Sequence, residues 1–550
     1  MKLLINNLMN YTRKWLLLLP ILCYAFLTRA QNPVVNLSTE FEVPGDGWDK
    51  LLQLKNGNTC YLHFSRTAGL EVRMYNNKRE QLSSDTLQTN LWNSRDLENT
   101  EIDAIFQING QPVLFLQQLV NDTPRIFRLV LNENTGKLQQ EQLLGELPSV
   151  RLKTAFAQNN VASHDCFVEK DQRSDYYAVA FFSGHEILPG ENVKHRIIVR
   201  HYSPQHELIN TGYFYMQDSA FAYFSYIHMA VQDSRDVYLA TTGFNTKKRN
   251  NSSWSKVVLS RLTPDSTTFS HNVIAYTHNY DNVSGLVKTV PAFKEVRLLL
   301  FVPSERKGGN SGTLMNIFTE EGKLRKHPVL SYPELSRNVE TNLNYKDKYE
   351  GIPQNWIMNN DGSSTIMLEN LSYFRQGNNQ LANMHSNMGD AGVAELDTLG
   401  KEDATWSLSK YQVITGTCQP FFQHRRSKSE WSFRNKIAAL NLNPYVSYDF
   451  LNFPDVTFML FNDYLQYLDT GGSDRVKKPL KFADDASFVC YRYYNKKIER
   501  MYLFGMPEVN KRYACMLGAS DYNAATRTYA TILLKREGTV KKAAIAWIGF

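Results

Sequence analysis

Seven similar units recur along this sequence, and an internal repeat restricts the possible folds of a chain more than any other feature. Each unit has a polar residue, an apolar strand of about five residues, a tight turn and a second, more apolar strand, at a spacing of roughly 50 to 70 residues. The units begin at Asp49, Asp103, Asp165, His228, Lys288, Asn355 and Asp449. Aromatic residues form 12% of the chain and occur in runs with Val, Ile and Thr, as half-buried strands require. The repeat therefore predicts an all-β protein.

The turns predict how the strands are joined. Asn56-Gly57, Asn109-Gly110 and Asp361-Gly362 separate the first and second strands of their units. Such dipeptides accept a positive φ at both central positions of a type I′ hairpin turn. Two further strands with a short polar turn follow in most units, and four meandering strands make one propeller blade. We predict a single closed β-propeller of seven or eight four-stranded blades over residues 31–550.

The two ends of this region are expected to share one blade. Residues 31–43 supply one strand and residues 510–550 supply three, and a ring closed in this way leaves no unpaired sheet edge. Two β-sandwich domains are the rival architecture. No Pro-, Gly- or Ser-rich linker divides the chain, however, and the units continue through its middle, which favours the propeller.

Residues 1–30 have the features of a secretory signal peptide. Lys2, Arg13 and Lys14 accompany an apolar stretch over residues 15–27, and Thr28-Arg29-Ala30 is a small-x-small cleavage site. The stretch of about 13 residues is shorter than the about 20 that span a bilayer. We expect cleavage before Gln31, with a retained anchor as the alternative, and an exported protein that is periplasmic, on the cell surface or secreted. No transmembrane segment is expected in the mature chain.

The long loops are predicted to lie on one face of the propeller. In a four-stranded meander, the loops between the second and third strands share a face with the connections between blades. The sequence places long loops of the former kind at 183–194, 243–256, 303–312, 371–392 and 463–485. The polar residue that opens each innermost strand lies at the same end, near the mouth of the central channel. We predict that these residues bind a ligand, the alternative being that they only hydrate the strand ends: Asp49, Asp103, Asp165, His228, Lys288, Asn355 and Asp449.

Basic residues gather in the same loops, although the net charge of the whole chain is only +7. We predict a cationic rim formed by Lys247, Lys248, Arg249, Arg306 and Lys307. A rim of this kind attracts an acidic partner, so the expected partners are an acidic glycan or an envelope protein. Export argues against nucleic acid.

No catalytic motif is present, and enzymatic activity is left open. A glycosidase needs two carboxylates about 5 to 9 Å apart, which Asp49, Asp103, Asp165 and Asp449 could supply. The cysteines contain no CxxC pair, and His195 and His201 would stand roughly 20 Å apart on one strand. We therefore predict no metal and no cofactor.

The signal ending in Ala30-Gln31, the meandering units and the late stretch Leu460-Phe461-Asn462-Asp463 resemble those of exported bacterial β-propeller proteins of uncharacterised function. The resemblance implies the architecture and carries over no functional residues. Our first hypothesis is a binding or scaffolding protein of the cell envelope or extracellular space. The alternative is a carbohydrate-active hydrolase or lyase that uses acids at the channel mouth. Two carboxyl groups within about 9 Å in a pocket, one of them buried, would favour the enzyme.

Overall fold

The repeated strands pair into eight antiparallel sheets, and neighbouring sheets pack face to face around a central axis. This arrangement confirms the predicted all-β, closed propeller and gives its blade count as eight. The structure is a computed structural model. It describes residues 33–45, 47–65, 67–149, 163–184, 196–216, 221–245, 255–277, 283–303, 311–343, 349, 351–376, 383–415, 418–425, 429–431, 437–439, 445–464, 486–508 and 510–550.

The first four blades follow one another along the chain, after a short strand β1 (Val34–Leu37) that belongs to the last blade. Blade 1 contains β2 (Trp48–Gln53), β3 (Thr59–Ser65), β4 (Gly69–Tyr75) and β5 (Gln81–Thr86). Blade 2 contains β6 (Thr100–Ile108), β7 (Gln111–Val120), β8 (Thr123–Leu131) and β9 (Leu138–Glu146). Blade 3 contains β10 (Asp165–Lys170), β11 (Tyr177–Phe182), β12 (Ile197–Tyr202) and β13 (Leu208–Tyr213). Blade 4 contains β14 (Tyr223–Gln232), β15 (Asp236–Phe244), β16 (Ser255–Leu262) and β17 (Ser270–Val273).

The second half of the ring carries additional elements. Blade 5 contains β18 (Ser284–Val290), β19 (Glu295–Val302), β20 (Gly312–Thr319), β21 (Leu324–Lys326) and β22 (Val329–Leu330), and α1 (Pro333–Leu343) follows it. Blade 6 contains β23 (Ile352–Met358), β24 (Ser364–Gln376), β25 (Asn383–Leu396), β26 (Glu402–Leu408) and β27 (Gln412–Thr415). An insertion with α2 (Phe422–Arg425), β28 (Ser429–Trp431) and β29 (Ile437–Ala439) leads to blade 7, which contains β30 (Tyr448–Asn452), β31 (Thr457–Asp463), β32 (Ser487–Tyr494) and β33 (Lys497–Met501).

Blade 8 joins the two ends of the described chain. It contains β34 (Lys511–Cys515), β35 (Asp521–Asn523), β36 (Thr528–Glu537) and β37 (Val540–Gly549). The N-terminal strand β1 pairs antiparallel with β37, with Val34 opposite Gly549 and Leu37 opposite Ala546. The hydrogen-bonding edge of β37 is therefore covered by the chain itself, which removes an edge that would otherwise pair with other chains.

The hairpin turns follow the predicted type at one position of three. Asn109 and Gly110 have φ of 50° and 82°, as a type I′ turn requires. At Gly57 and Gly362 only the glycine has a positive φ, so the prediction of a type I′ turn is wrong there. These two loops have three residues instead of two. The hydrogen bonds that close them join the amide of Leu54 to the carbonyl of Asn58, and the amide of Asn359 to the carbonyl of Ser363. A loop of three residues takes a type I turn and places glycine at its left-handed last position.

Two further features depart from the sequence expectations. The segment 371–392 is not a long loop, because β24 and β25 continue through most of it as a hairpin of paired strands. Helix α1, which the repeat pattern did not predict, packs on blade 6 through Leu335 and Val339. No helix of the described residues has the length and apolar character needed to cross a membrane.

The hydrophobic core is divided among the interfaces between blades. Leu52 and Phe64 of blade 1 pack with Leu116 of blade 2, and the same arrangement recurs around the ring. Within the described residues, the cysteines are all buried and free: Cys60, Cys166, Cys418, Cys490 and Cys515. Burial raises the pKa of the Cys60 thiol to about 12, so this residue is a core side chain rather than a nucleophile.

A buried polar contact between blades 2 and 3 makes stability depend on pH. Arg128 donates to the hydroxyl oxygen of Tyr177, whose own hydroxyl lies 3.1 Å from Nδ1 of His206. Burial, together with the nearby Arg128 charge, lowers the pKa of His206 from 6.5 to about 4. The unfolded chain therefore binds a proton in the window between pH 6.5 and 4 that the folded chain does not bind.

Stability is accordingly expected to fall as the pH drops from about 6.5 towards 4, by about 1 kcal/mol at pH 5 for this partly exposed residue. His206→Asn should remove that part of the pH dependence. The measurement is the free energy of unfolding in urea at pH 7 and pH 5, for the natural sequence and the variant. An equal loss in the two proteins would contradict this interpretation.

Candidate functional site

The innermost strands carry all seven residues that were predicted to surround the channel mouth. They lie on β2, β6, β10, β14, β18, β23 and β30, one in each of the first seven blades. Five of them are buried (Asp49, Asp103, His228, Lys288 and Asp449), and two are partly buried (Asp165 and Asn355). They do not form one continuous ring. Asp103 and Asp165 belong to one group, and His228 with Lys288 to another.

The first group consists of three carboxylates from blades 2 and 3. Oxygen atoms of Glu101, Asp103 and Asp165 all lie within 4.8 Å of one another. Glu101 and Asp103 are 2% and 5% exposed, whereas Asp165 is partly exposed. A β-bulge in β6 between Ile102 and Ala104 leaves Asp103 outside the regular pairing with β7. Bulges re-aim side chains beside functional sites, and this one brings two acids of the same strand to the same place. We call these three residues the carboxylate trio.

Electrostatics determine what the carboxylate trio can hold. Carboxylates this close repel one another when they are ionised, and a proton, a basic side chain or a cation between them relieves the repulsion. Asp165 is held in place by the amide of Cys166, which donates to its Oδ1 at 2.8 Å. The same amide also donates to Oε1 of Gln117, at 3.2 Å. The trio is an all-oxygen donor set of the kind that Ca²⁺ and Mg²⁺ prefer. Two of its members could equally act as a general acid and a base or nucleophile.

The second group is a pair of histidines beside a glutamate. Nε2 of His228 lies 2.8 Å from Nε2 of His424 and 3.5 Å from Oε1 of Glu169. Strand β14 also contains a bulge, which lies between Tyr226 and His228. His228 is the first residue to pair with β15 after it. Lys288 is buried beside the group, and burial lowers its pKa to about 8 while the Glu169 charge opposes that change. These contacts join blades 3, 4 and 5 to the insertion that precedes blade 7.

The hydrogen bonds of His228 decide how this ring is protonated. The amide of Val287 donates to its Nδ1 at 3.1 Å, so Nδ1 is an acceptor and the ring proton is on Nε2. Nε2 therefore donates to Nε2 of His424. Two imidazoles and a carboxylate within 4.8 Å are a familiar set of metal ligands. A metal-bound histidine donates its other ring N–H, however, whereas His228 accepts at that position, and this bonding pattern does not fit an ion on its Nε2.

Three of the predicted residues make contacts away from both groups. Asp49 accepts hydrogen bonds from the hydroxyl of Tyr61 at 2.7 Å and from Nδ1 of His63 at 2.9 Å. Asp449 accepts a short hydrogen bond from the hydroxyl of Tyr529, which ties blade 7 to blade 8. Asn355 accepts from the amide of Trp356. These side chains hold strand ends and neighbouring blades together.

The far end of the channel is crossed by the 171–176 turn between β10 and β11. Arg173 donates to the carbonyl of Thr289 in blade 5 at 3.0 Å. Asp175 accepts from Lys55 of blade 1 at 3.2 Å and from the amide of Asn109 of blade 2 at 3.0 Å. A turn of blade 3 that reaches blades 1, 2 and 5 must pass over the axis. The channel is therefore obstructed at the face of tight turns, and the carboxylate trio lies towards the other face.

The insertion after blade 6 covers part of the mouth. The amide of Phe421 donates to the carbonyl of Pro353 at 2.7 Å, which fixes α2 on blade 6. From there His424 reaches His228, and the strand β28 runs beside β6. The insertion thus contacts the innermost strands of blades 2 and 4, which also carry residues of the two groups. The basic rim lies outside the described residues: Lys247, Lys248, Arg249, Arg306 and Lys307.

Sequence reasoning missed Glu101, Glu169 and His424. The first two carried a usable signal, because Glu101 lies two residues before Asp103, and Glu169 lies four residues after Asp165 on one face of β10. His424 carried none. It comes from an insertion that follows blade 6 and contacts blade 4, a pairing that no local pattern reveals.

Comparison with known proteins supports no family. No protein-family profile matches the chain, and no curated protein matches it. Solved structures that match this chain include prolyl oligopeptidase B from Galerina marginata, with 7% identity and a TM-score of 0.40 over 92% of this chain and 55% of that one. This chain thus spans about half of that protein. The apocarotenoid oxygenase of Synechocystis has 8% identity and a TM-score of 0.31, over 68% of this chain and 72% of that one. An exo-1,5-α-L-arabinanase from a bovine ruminal metagenomic library has 11% identity and a TM-score of 0.24, over 52% of this chain and 98% of that one. At these identities and TM-scores the similarities carry no argument about this chain.

Proposed function

We propose that this protein is an exported glycoside hydrolase of the retaining type, with its reactive centre at the carboxylate trio. The observation that carries the proposal is the approach of three carboxyl groups to within 4.8 Å, two of them buried, at the mouth of a channel that is obstructed at its far end. Retaining enzymes place their two carboxyl groups about 5–5.5 Å apart, and inverting enzymes about 6.5–9.5 Å apart. Oxygen atoms within 4.8 Å of one another lie nearer to the retaining arrangement than to the inverting one, so we propose a covalent glycosyl intermediate.

The surroundings of the three residues suggest their roles. Asp165 is the most exposed member and accepts an amide hydrogen bond, which stabilises a carboxylate, so we assign it as the nucleophile. Glu101 and Asp103 are buried side by side, and we assign the general acid to one of these two residues. Asp165 would bond to the anomeric carbon while this acid protonates the departing oxygen. Water would then displace Asp165 and return a proton to the acid.

Export and substrate class belong to the same proposal. The features of residues 1–30 support export of the protein and cleavage of the signal peptide before Gln31. The destination would be the periplasm, the cell surface or the medium. The lysines and arginines of the rim support an acidic polysaccharide as one substrate class. A purely binding or scaffolding propeller is the competing function.

The test uses the mature protein, residues 31–550, and a panel of neutral and acidic polysaccharides, with release of reducing ends as the readout. Fluorogenic 2-deoxy-2-fluoroglycosides of the sugars that respond then trap the intermediate. We expect one added glycosyl group by intact mass, located by peptide mapping on β10 at Asp165. Retention of a polysaccharide without release of reducing ends, or a label on a residue outside the carboxylate trio, would contradict the proposal.

A further inference from the structure

A second depression lies between blades 6 and 7, on the face of tight turns that is opposite the carboxylate trio. Its volume is about 850 Å³, within the range of small-ligand sites. We call it the blade 6–7 cleft. Four turn regions line it: 359–365 and 395–403 from blade 6, and 452–457 and 493–495 from blade 7.

About half of the lining is polar, and its polar side chains are acids, amides and hydroxyls without a basic residue. The carboxylates are those of Asp361, Glu395, Asp397, Asp403 and Asp455. Three of the five carboxylates are already bound within the protein. Asp361 accepts from Ser363, Asp397 accepts from the amides of the turn that follows it, and Asp455 pairs with Arg527. These three stabilise the walls rather than a ligand.

The two other carboxylates differ in exposure. Glu395 is partly buried, and burial, with a smaller contribution from the nearby Asp403, raises its pKa. Asp403 is exposed. The amides and hydroxyls of the lining both donate and accept hydrogen bonds. The cleft therefore offers hydrogen-bond donors and acceptors beside its carboxylates.

Two side chains are placed as if to receive a ligand. Ser364 lines the cleft and is 1% exposed, and its Oγ has no hydrogen-bond partner among the described residues. Such a buried hydroxyl gains a partner when a polar ligand occupies the site. Tyr494 also lines the cleft and is 37% exposed. Beside it, Tyr493 stacks on Trp406 with ring centroids 5.1 Å apart and planes 13° apart, which fixes this wall.

We propose that the blade 6–7 cleft binds an uncharged oligosaccharide of two or three sugars. Its hydroxyls would bond to the asparagines, Asp403, Glu395 and Ser364, and one sugar ring would pack on Tyr494. The lining contains no basic side chain, so it offers no ion-pair partner for the carboxylates of an acidic glycan. A polyamine or a basic peptide would find most of the carboxylates already occupied. The choice of a glycan rests on the proposed function with a neutral polysaccharide as the substrate, because a hydrolase gains from a second contact with the chain that it cleaves.

The test measures binding by calorimetry, with the mature chain carrying Asp165→Asn so that no ligand is consumed. The probes are neutral cello-, xylo-, manno-, laminari- and arabino-oligosaccharides of two to six sugars, with oligogalacturonides as the acidic comparison. We expect at least one neutral series to bind, with an affinity that is unchanged between 0.05 and 0.5 M NaCl. Tyr494→Ala should weaken that binding about tenfold.

Tyr215→Ala is the matched control, because Tyr215 is also a partly exposed tyrosine, at 38%, and does not line this cleft. It should leave the affinity unchanged. Absence of binding by every neutral series, a preference for oligogalacturonides, or equal affinities of Tyr494→Ala and Tyr215→Ala would overturn the inference. Trapping by fluoroglycosides does not depend on the cleft. A labelled Asp165 without binding of neutral oligosaccharides would therefore contradict this inference but not the hydrolase. Binding of neutral oligosaccharides at the cleft without any label would contradict only the proposed hydrolase.

Discussion

Asp165→Asn is expected to lower kcat on a responsive glycoside by about 10⁴-fold, because asparagine cannot attack the anomeric carbon. The folded state should be unaffected, since an asparagine oxygen can still accept the Cys166 amide. Initial rates of fluorogenic glycoside hydrolysis at saturating substrate provide the measurement. The effect should fall on kcat, because the residue acts in the transition state and not in substrate binding.

Three controls make this result specific to a nucleophile. Asp85→Asn changes an exposed aspartate on the outer strand of blade 1 and should retain full activity. Asp165→Gly with sodium azide should regain turnover and form a glycosyl azide, because azide occupies the space of the missing carboxylate. Of Glu101→Gln and Asp103→Asn, the variant that removes the general acid should be rescued by azide only with substrates that have a good leaving group. Full activity of Asp165→Asn would exclude Asp165 as the nucleophile.

The propeller could be predicted because each repeat specifies its own local structure. Alternating apolar residues and short polar turns determine a hairpin without reference to the rest of the chain. The exact turn geometry was less accessible: Asn109-Gly110 forms the expected type I′ turn, whereas the loop at Gly57 is one residue longer. The dipeptide alone does not determine the register of the strands that flank it.

The candidate site was only partly predictable, since it depends on contacts between repeats. The position of Asp103 and Asp165 at the beginning of their units placed both at the channel mouth, where the structure brings them together. The bulge in β6 that takes Asp103 out of the regular pairing with β7 has no distinct sequence signal. The contact of His424 with His228 depends on an insertion that crosses the mouth from another blade. Contacts of this kind follow from the closed ring, not from the local pattern.

A buried ion pair holds blade 6 to the chain that enters blade 7. Lys410 and Glu369 are both fully buried, and they are in direct contact. Nζ of Lys410 also donates to the carbonyl of Met388 at 3.0 Å and to Oε1 of Gln412 at 3.1 Å. The hydroxyl of Ser447 donates to the same oxygen of Glu369, at 3.0 Å. Every partner here lies in blade 6 or just before β30, so the charges fix one interface of the ring.

Lys410→Met is expected to lower the free energy of unfolding by about 3–5 kcal/mol, because it leaves the Glu369 charge buried without its partner. Glu369→Leu should lower the free energy of unfolding by a similar amount, because it leaves the Lys410 ammonium group buried without its partner. The double variant should be more stable than either single variant, since an apolar pair avoids the desolvation of both charges. Urea unfolding followed by tryptophan fluorescence measures all three. Glu40→Gln breaks the exposed pair with Lys535 and should cause no measurable change. Additive losses in the double variant would show that the two buried charges do not stabilise each other.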